Sequence, residues 1–392
     1  MNYEEVLSGR ISAVPPSGIR KFFDIASQMK DAISLGVGEP DFNTPWDYND
    51  AAIYSLRQGH THYTSNWGLI ELREAISEYL KVRFSIAYDP NREIMVTVGA
   101  SEGIDIALRA LVEPGDEVIV PDPAYVSYMP GIIFAGGTCV PVPTFAQDDF
   151  RMTAENLKKA ITPRTKALIF PYPNNPTGAV MRREHMEEIA QVLRGTNIIV
   201  IADEIYAELT YGGARHVSFA SIPGMWERTI TLNGFSKAFA MTGWRMGYAC
   251  APRELLAVMC KIHQYTIMCA PTPGQYAATE AIRIGLDNDF ADVLHMVRTY
   301  DRRRRLVVSA CREMGLDCFE PNGAFYAFPS IRKTGMTSQK FCTAFLKAEK
   351  VATVPGDAFG DGGRGHIRIS YAAATDKLIE AMKRMERFVS GL

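Results

Sequence analysis

The sequence has almost no net charge and no long hydrophobic run. Its 42 Lys and Arg residues nearly cancel 44 Asp and Glu residues, which leaves a formal charge of −2 over 392 residues. Without a basic field, the chain has no general attraction for nucleic acid or for an anionic membrane surface. No apolar run approaches the ~20 residues that a membrane helix needs. The acidic N-terminal segment MNYEEVLSGR lacks the apolar core of a signal peptide. We therefore expect no nucleic-acid partner and no membrane anchor.

The sequence also lacks paired cysteines and metal-ligand spacings. None of the seven cysteines forms a Cys-x-x-Cys pair, and the seven histidines show no metal-binding pattern. An odd, scattered set of cysteines is typical of reduced, buried thiols, which predicts a cytoplasmic protein without a metal site. The one dense basic run, Arg302–Arg305, lies in a helical pattern and is interpreted as a solvated helix rather than a phosphate patch.

Seven short apolar runs recur along the middle of the chain, most of them apolar on both faces. Helical patterns lie between many of them, which predicts an α/β fold around a largely parallel sheet. The runs begin at Glu93, Asp116, Thr138, Lys166, Asn197, Arg228 and Arg245. The regular alternation of apolar runs and helical patterns ends near residue 285. Together with the chain length, this predicts a large domain, residues 45–285, and a smaller α+β domain formed by residues 1–44 and 286–392.

Several of these runs are followed by residues that suit a ligand site, which in α/β proteins lies at the carboxyl ends of the strands. The small residues of GASEG, 99–103, would let backbone N–H groups approach an anion, although a serine N-cap is the commoner reason for such a segment. Asn175 lies in a turn sequence after the fourth run, and its amide can donate a hydrogen bond there. Asp203 ends the fifth run, where a buried carboxylate needs a partner. It is interpreted either as a helix N-cap or as the partner of a cationic ring nitrogen.

A single lysine, Lys237, follows the sixth run in the nearly chargeless segment LNGFSKAFAMTGWRMGYA. Low-polarity surroundings and a nearby cation lower the pKa of a lysine, which favours its use as a Schiff-base nucleophile. Ser236 precedes it, and Arg245, at the start of the next run, has the planar guanidinium that suits phosphate. An anion site, a carboxylate for a ring nitrogen and a reactive lysine together predict pyridoxal 5′-phosphate as the cofactor.

At these residues the sequence resembles the class I/II aminotransferases, the aspartate aminotransferase superfamily of fold type I. The matching segments are GVGEPDF, HYTSNWGLIELREAI, VTVGASEGID, PYPNNPTGAV, IADEIYAELTY, SKAFAMTGWRMGY, PNGAFYAF and IRISYA. They cover most of the chain in order. Two further segments, KIHQYTIMCA and IRKTGMTSQKF, resemble the branch with aromatic and N-acetyl-diaminopimelate aminotransferases. The resemblance implies a large domain around a mainly parallel seven-stranded sheet.

The resemblance also implies roles for residues around the cofactor. Lys237 would bond the cofactor covalently and later move the substrate proton, and Asp203 would partner the pyridine nitrogen. The phosphate would be held by Ala100, Ser101, Ser236 and Arg245. The ring itself would be contacted by Tyr125, Tyr206 and Asn175, with Tyr125 stacked on it and the other two at its phenolic oxygen.

Substrate binding and assembly are implied in the same way. Arg368 would grip the substrate α-carboxylate, helped by Asn175 and the backbone near Gly38. Tyr63 would reach the phosphate of the other subunit, which implies a homodimer with shared active sites. Tyr125 stands where aspartate specialists often have tryptophan, and Ser101 where some aspartate-using relatives have a basic residue. These departures argue against strict aspartate specificity.

The function implied is amino-group transfer from an aromatic, acidic or acylated diamino acid to a 2-oxo acid, with 2-oxoglutarate as the expected acceptor. Ping-pong kinetics would follow. A cystathionine-type β-lyase on the same scaffold is the alternative, because it would share almost every residue named. A non-catalytic regulatory module is disfavoured, since GVGEPDF begins near residue 36 and leaves no room for a DNA-binding domain before it.

Overall fold

The structure is a computed structural model that describes residues 1–16, 18, 29 and 31–392. Within those residues the strands are β1 (Ile33–Ser34), β2 (Ile94–Val98), β3 (Glu117–Asp122), β4 (Thr138–Pro143), β5 (Thr165–Phe170), β6 (Ile199–Asp203), β7 (Thr229–Gly234), β8 (Met246–Cys250), β9 (Tyr326–Ala327), β10 (Val351–Ala352), β11 (Val354–Pro355) and β12 (Ile367–Ser370). The α-helices are α1 (Tyr3–Val6), α2 (Gly9–Ser12), α3 (Trp46–Arg57), α4 (Ile70–Phe84), α5 (Gly99–Leu111), α6 (Tyr128–Ala135), α7 (Ala154–Ala160), α8 (Arg183–Leu193), α9 (Arg253–Thr266), α10 (Thr272–Asp287), α11 (Ala291–Glu313), α12 (Ser338–Glu349) and α13 (Thr375–Ser390).

A seven-stranded sheet forms the centre of the fold. Its strand order is β2-β8-β7-β6-β5-β3-β4. Strand β8 runs antiparallel to both of its neighbours, and the other pairings are parallel. The seven apolar runs of the sequence are these seven strands, so the predicted α/β fold with a mainly parallel sheet is confirmed. Strand β6 lies in the middle and delivers Asp203 to the carboxyl edge.

Six of the seven strands are buried on both faces, as the two-sided apolar runs predict, and the edge strand β4 is partly exposed. In β5, Leu168 and Phe170 pack in a cluster with Ile189 of helix α8. The alternate residues Ala167 and Ile169 pack in a second cluster, which contains residues of α5 and α9. Side chains along a strand point alternately to opposite faces, so a strand between two helix layers needs apolar residues at every position.

A second group of elements packs beside the sheet. Strands β11, β12 and β9 form a three-stranded antiparallel sheet, and β1 pairs with β10 in parallel. Residues of α11, α12 and α13 pack in one core cluster with Tyr206, Leu209 and Tyr211, which follow strand β6. The residues that follow β6 therefore lie between the central sheet and this second group of elements, and both hold them in place. The division of the chain at residue 285 stays a prediction, and part of its 1–44 segment lies outside the described residues. No helix of the described segments is both long and apolar enough to cross a membrane.

The arginine run differs from the sequence-based expectation. Arg302–Arg305 lie in helix α11 as predicted, but Arg303 and Arg304 are buried. Arg303 donates to Asp41 at 2.8 Å, and Arg304 donates to Asp301 at 2.9 Å. The prediction of a solvated run is wrong for these two residues, because consecutive positions on a helix point in different directions. Two of the four arginines thus face acidic partners rather than solvent.

Candidate active site

A cavity of about 1060 Å³ lies where the parallel strands of the central sheet end. It is lined by residues that follow β2, β3, β5, β6 and β7, and by the residue that precedes the antiparallel strand β8. The predicted site residues in its lining are Gly38, Ala100, Ser101, Tyr125, Asn175, Asp203, Tyr206, Ser236, Lys237, Arg245 and Arg368. Residues from distant parts of the sequence therefore meet in one cavity.

The amine of Lys237 is held inside this cavity. Its Nζ donates a 2.6 Å hydrogen bond to the carbonyl oxygen of Gly38. Burial lowers the pKa of Lys237 from the ordinary lysine value to about 8; the charges of Arg368 and Arg245 add to this, and Glu39 opposes it. A larger fraction of the amine is thus unprotonated near neutral pH than for a solvated lysine. An unprotonated amine is the form that attacks a carbonyl carbon.

Asp203 is buried at the end of β6. Its Oδ2 accepts a 2.7 Å hydrogen bond from the hydroxyl of Tyr128, and its Oδ1 accepts one of 3.3 Å from the backbone N–H of Ile205. Burial raises the pKa of Asp203, and these two hydrogen bonds counteract the rise. The chain continues from Asp203 into a turn rather than a helix, so the alternative of a helix N-cap is wrong. A cation opposite the carboxylate would stabilise its charged form.

The other end of the cavity is built for an anion. Helix α5 begins at Gly99, which has φ +69°, and a Cβ there would lie 2.6 Å from Nη2 of Arg245. A Cβ on Gly247 would lie 2.5 Å from the backbone nitrogen of Ala100. The two glycines thus let Arg245 and the first turn of α5 approach closely. Backbone N–H groups in a first turn have no partner within the helix. A cradle suited to phosphate is thus formed at the start of α5. It consists of the first-turn N–H groups of α5, the hydroxyls of Ser101 and Ser236, and the Arg245 guanidinium.

Glu102 would repel an anion at this position, but it faces away from the cavity. Its Oε2 accepts a 2.6 Å hydrogen bond from the backbone N–H of Val98, the residue that precedes the helix. Its Oε1 lies 2.6 Å from Nδ1 of His263, which is fully buried. The N-cap residue of α5 is Val98, whose side chain makes no capping hydrogen bond, so the serine N-cap alternative for GASEG is also wrong. Glu102 instead fastens the strand–helix junction from behind.

Arg368 presents a fixed guanidinium. Its Nη1 donates to Oδ1 of Asn175 at 2.8 Å, and its Nη2 donates to the carbonyl oxygen of Gly36 at 2.5 Å. The guanidinium carbon lies 4.3 Å from the centre of the Tyr326 ring. Its buried Nε has no hydrogen-bond partner among the described residues. A planar, oriented guanidinium of this kind suits paired hydrogen bonds to a carboxylate.

Comparisons with known proteins agree with this geometry. The model of the family "Aminotransferase class I and II" matches residues 30–384. The chain belongs to this family. An aspartate aminotransferase of Pyrococcus abyssi is 50% identical, with 97% of each chain covered. The aromatic-amino-acid aminotransferase 2 of Thermococcus litoralis is 46% identical, again with 97% of each covered. The crystal structure of an aromatic aminotransferase from Pyrococcus horikoshii OT3 has a TM-score of 0.90 and 49% identity, and covers 95% of this chain and 99% of that one.

The protein is therefore a pyridoxal phosphate-dependent transaminase of fold type I. Its cavity fits this cofactor on three counts. The glycine-bounded cradle at the start of α5 suits the phosphate, the buried carboxylate of Asp203 suits a cationic ring nitrogen, and the amine of Lys237 suits the aldehyde. The carboxylate of Asp203 would be costly to bury without a partner of opposite charge.

Two tyrosines of the transaminase site were not singled out in the sequence. Tyr128 holds Asp203, and the hydroxyl of Tyr326 lies 2.9 Å from that of Tyr206. Tyr326 lies in the matching segment PNGAFYAF, and Tyr128 lies close to Tyr125, but a tyrosine in an apolar segment is more often a core residue. The signal available was position, since Tyr128 lies three residues after Tyr125 at the start of α6.

Tyr63 is the predicted site residue that the fold does not bring to the cavity. It is 79% exposed and is not part of the cavity lining. Tyr63 lies in the segment that follows α3. A 2.8 Å hydrogen bond from Asn66 to the Met268 carbonyl oxygen holds this segment in place. A role for Tyr63 in catalysis therefore requires a site other than the one in its own chain.

Proposed function

We propose that this transaminase takes an aromatic L-amino acid, or another with a bulky apolar side chain, as its amino donor, with 2-oxoglutarate as acceptor. The composition of the cavity carries this proposal. Lys237, Arg245 and Arg368 are the cations of the described lining, and each already has a task at the cofactor or the α-carboxylate. Much of the remaining lining is apolar: Val14, Pro15, Ile104, Met129, Pro130 and Phe134. Such a surface favours an apolar side chain over a second carboxylate.

An acidic donor is the second candidate, and an acylated diamino acid the third. The aspartate aminotransferase of Pyrococcus abyssi, at 50% identity, supports aspartate. The cavity of about 1060 Å³ has room for an acyl extension. A dimer would add residues of the second subunit to this pocket. The β-lyase alternative is not favoured by the family comparisons.

We propose the following roles for the chain's residues. The first turn of α5, Ser101, Ser236 and Arg245 anchor the cofactor phosphate, and Tyr125, Tyr206 and Asn175 contact the ring. When bound, pyridoxal phosphate supplies an electron sink that weakens the Cα–H bond of the substrate. Asp203 stabilises positive charge on the ring nitrogen and so maintains that sink.

Two residues act on the substrate itself. Arg368 binds the α-carboxylate through its N–H groups and fixes the orientation of the substrate. Lys237 accepts the Cα proton on Nζ and gives it back on the cofactor side, which is general acid–base help worth ~10²–10⁴-fold. Its pKa of about 8 suits this alternation, since the amine gains and loses a proton readily near neutral pH.

We propose a homodimer in which Tyr63 of each subunit completes the site of the other. The exposed fractions of three apolar side chains support this: 79% for Tyr63, 84% for Tyr265 and 43% for Met268. Large exposed apolar residues in one region mark association surfaces.

We also propose a cytoplasmic location and a biosynthetic role in amino-acid metabolism. The location is supported by the seven cysteines, all free thiols within the described residues.

A donor panel tests the substrate proposal. The holoenzyme is assayed with 2-oxoglutarate and phenylalanine, tyrosine, aspartate or an N-acylated diamino acid, and kcat/KM is compared. We expect the aromatic donors to exceed aspartate by at least ~10-fold, the discrimination that side-chain burial in an apolar pocket provides. A higher value for aspartate would overturn the proposed donor class. Incubation with cystathionine alone, followed by pyruvate detection, tests the lyase alternative.

A further inference from the structure

A second cavity, of about 420 Å³, shares no lining residue with the active site. It lies between the loop that precedes α7, the start of α8 and the end of α11. We call it the arginine cavity after three of its four basic residues, Arg151, Arg182 and Arg312; the fourth is His185. Its other lining residues are Asp149, Val180, Phe319, Glu320 and Asn322.

Two of the four basic side chains have a buried nitrogen without a hydrogen-bond partner, and a third, Arg182, is exposed and weakly paired. Nε of Arg151 is buried without an acceptor among the described residues, and the nearest carboxylate oxygen, on Asp149, is 3.9 Å away. Nδ1 of His185 is buried without a partner in the same part of the structure. Arg182 makes one ion contact, to Glu184 at the long distance of 4.0 Å. Buried polar nitrogens without partners are uncommon in folded proteins, so Arg151 and His185 call for a ligand with oxygen atoms that form hydrogen bonds.

Arg312 differs from the other three basic residues because its guanidinium is already bound by protein groups. Its Nε and Nη2 donate to the carbonyl oxygen of Cys318, and it also contacts Glu320. Glu320 is engaged from the other side by Arg304 at 2.9 Å. The lining therefore holds three arginines against two carboxylates, one of which is already shared between two arginines. The charge of the cavity is positive.

The backbone beside the cavity is strained in a way that places Arg151. Asp149 and Phe150, which are not glycines, have φ values of +55° and +52°. Such conformations persist only where the surroundings impose them, and they cluster at functional sites. Here the ring of Phe150 is buried against Phe319 and Phe328, with centroid distances of 5.7 Å to each. The aromatic anchor thus fixes the loop with Arg151 at the cavity.

We propose that the arginine cavity binds a small oxyanion of the phosphate type, either free phosphate or the phosphate group of a metabolite. Arg151, Arg182 and His185 donate to its oxygens, and Arg312 contributes charge. The oxyanion links the loop before α7 and helix α8 to the end of α11, segments that otherwise meet at a positively charged gap. This site is independent of the transamination chemistry and of the donor class.

His185 provides a local reporter. Burial lowers its pKa, and the charges of Arg151 and Arg182 lower it further, while Glu184 and Glu188 oppose them. A bound oxyanion stabilises the protonated imidazole, so its pKa must rise when the site fills. His185 lines the arginine cavity and does not line the active-site cavity, so a change in its titration reports on the arginine cavity.

The test uses the holoenzyme, whose phosphate cradle is occupied by the cofactor. Inorganic phosphate and, separately, methyl phosphate are titrated while the imidazole resonance of His185 is followed by NMR, assigned with the His185→Gln variant. We expect a saturable shift, an increase in the pKa of His185, and a rise of Tm of a few degrees (~2–6 °C) at ~100 times Kd. A response to inorganic phosphate alone identifies the free ion as the ligand class. A response to both identifies a phosphate group.

The double variant Arg151→Gln/Arg182→Gln should bind at least ~10-fold more weakly, because two charge-assisted hydrogen bonds are lost. A matched control, Arg92→Gln/Arg253→Gln, removes the same charge at two exposed positions that are not part of the cavity lining and should behave as the wild type. The proposal is overturned if His185 does not respond to either anion, or if the double variant keeps the full response.

Discussion

The hydroxyl of Tyr128 donates a 2.7 Å hydrogen bond to Oδ2 of Asp203, and both residues are buried. This hydrogen bond lowers the pKa of Asp203 against the opposing effect of burial. Burial also raises the pKa of Tyr128 well above its usual value, so the phenol stays protonated and remains a donor. The carboxylate that is proposed to face the ring nitrogen ends strand β6 and is therefore oriented by a residue of helix α6.

Replacing Tyr128 with phenylalanine removes this support. Without the hydrogen bond the pKa of Asp203 rises further, so the carboxylate is lost at a higher pH. We expect the acid limb of the kcat/KM profile to move to higher pH and the plateau to fall by about 10-fold, corresponding to ~1.4 kcal/mol for a hydrogen bond to a charged group. A pH–rate profile of both proteins checks this. An unshifted acid limb would show that Tyr128 does not act through Asp203.

Replacement of Arg368 by alanine should affect every amino donor. The fixed guanidinium provides paired hydrogen bonds to the α-carboxylate, a group that all donors share. We expect kcat/KM to fall by ~10²–10³-fold, equivalent to ~3–4 kcal/mol for loss of a buried charged contact. Arg368→Lys should recover only part of the loss because lysine lacks the fork. Steady-state kinetics with an aromatic and an acidic donor measure both effects, and a loss confined to one donor would contradict the assignment.

Much of the architecture follows from the sequence because both faces of each central strand are buried, and this leaves apolar runs such as Ile199–Ala202. Asp203 and Lys237 could be found since they follow such runs at the carboxyl edge. The hydrogen bond between Tyr128 and Asp203 could not be predicted, because strands β3 and β6 are separated by β5 and their order in the sheet is a tertiary property. The burial of Arg303 likewise depends on Asp41, 262 positions away.

His263 and Glu102 give a prediction about cofactor retention. His263→Leu leaves the carboxylate of Glu102 buried without its side-chain partner, and we expect a loss of ~3–5 kcal/mol in the free energy of unfolding. The start of α5 loosens with it, so pyridoxal phosphate should dissociate more readily. His263→Asn keeps a donor near the position of Nδ1 and should lose less. Urea unfolding and equilibrium dialysis of the cofactor measure the two quantities. Equal behaviour of both variants would refute the role given to the Glu102 contact.

Tyr63 can be tested by complementation between subunits. Lys237→Ala and Tyr63→Ala chains are each refolded alone and as an equimolar mixture. If Tyr63 serves the opposite site, a mixed dimer contains one site with both residues intact, so the mixture should regain up to about half of the wild-type activity per mixed dimer, as expected for a shared interface. Activity equal to the mean of the two parents would show that Tyr63 acts within its own chain or not at all.

The most direct test of the central claim is to locate the covalent bond to the cofactor. Lys237 has a buried amine whose pKa is lowered to about 8, at the edge where the strands end. Holoenzyme is reduced with borohydride, digested, and analysed by mass spectrometry. We predict a pyridoxyl group on the peptide that contains Lys237, and neither the adduct nor measurable turnover in Lys237→Ala. An adduct on another lysine, or a fully active Lys237→Ala enzyme, would contradict the account.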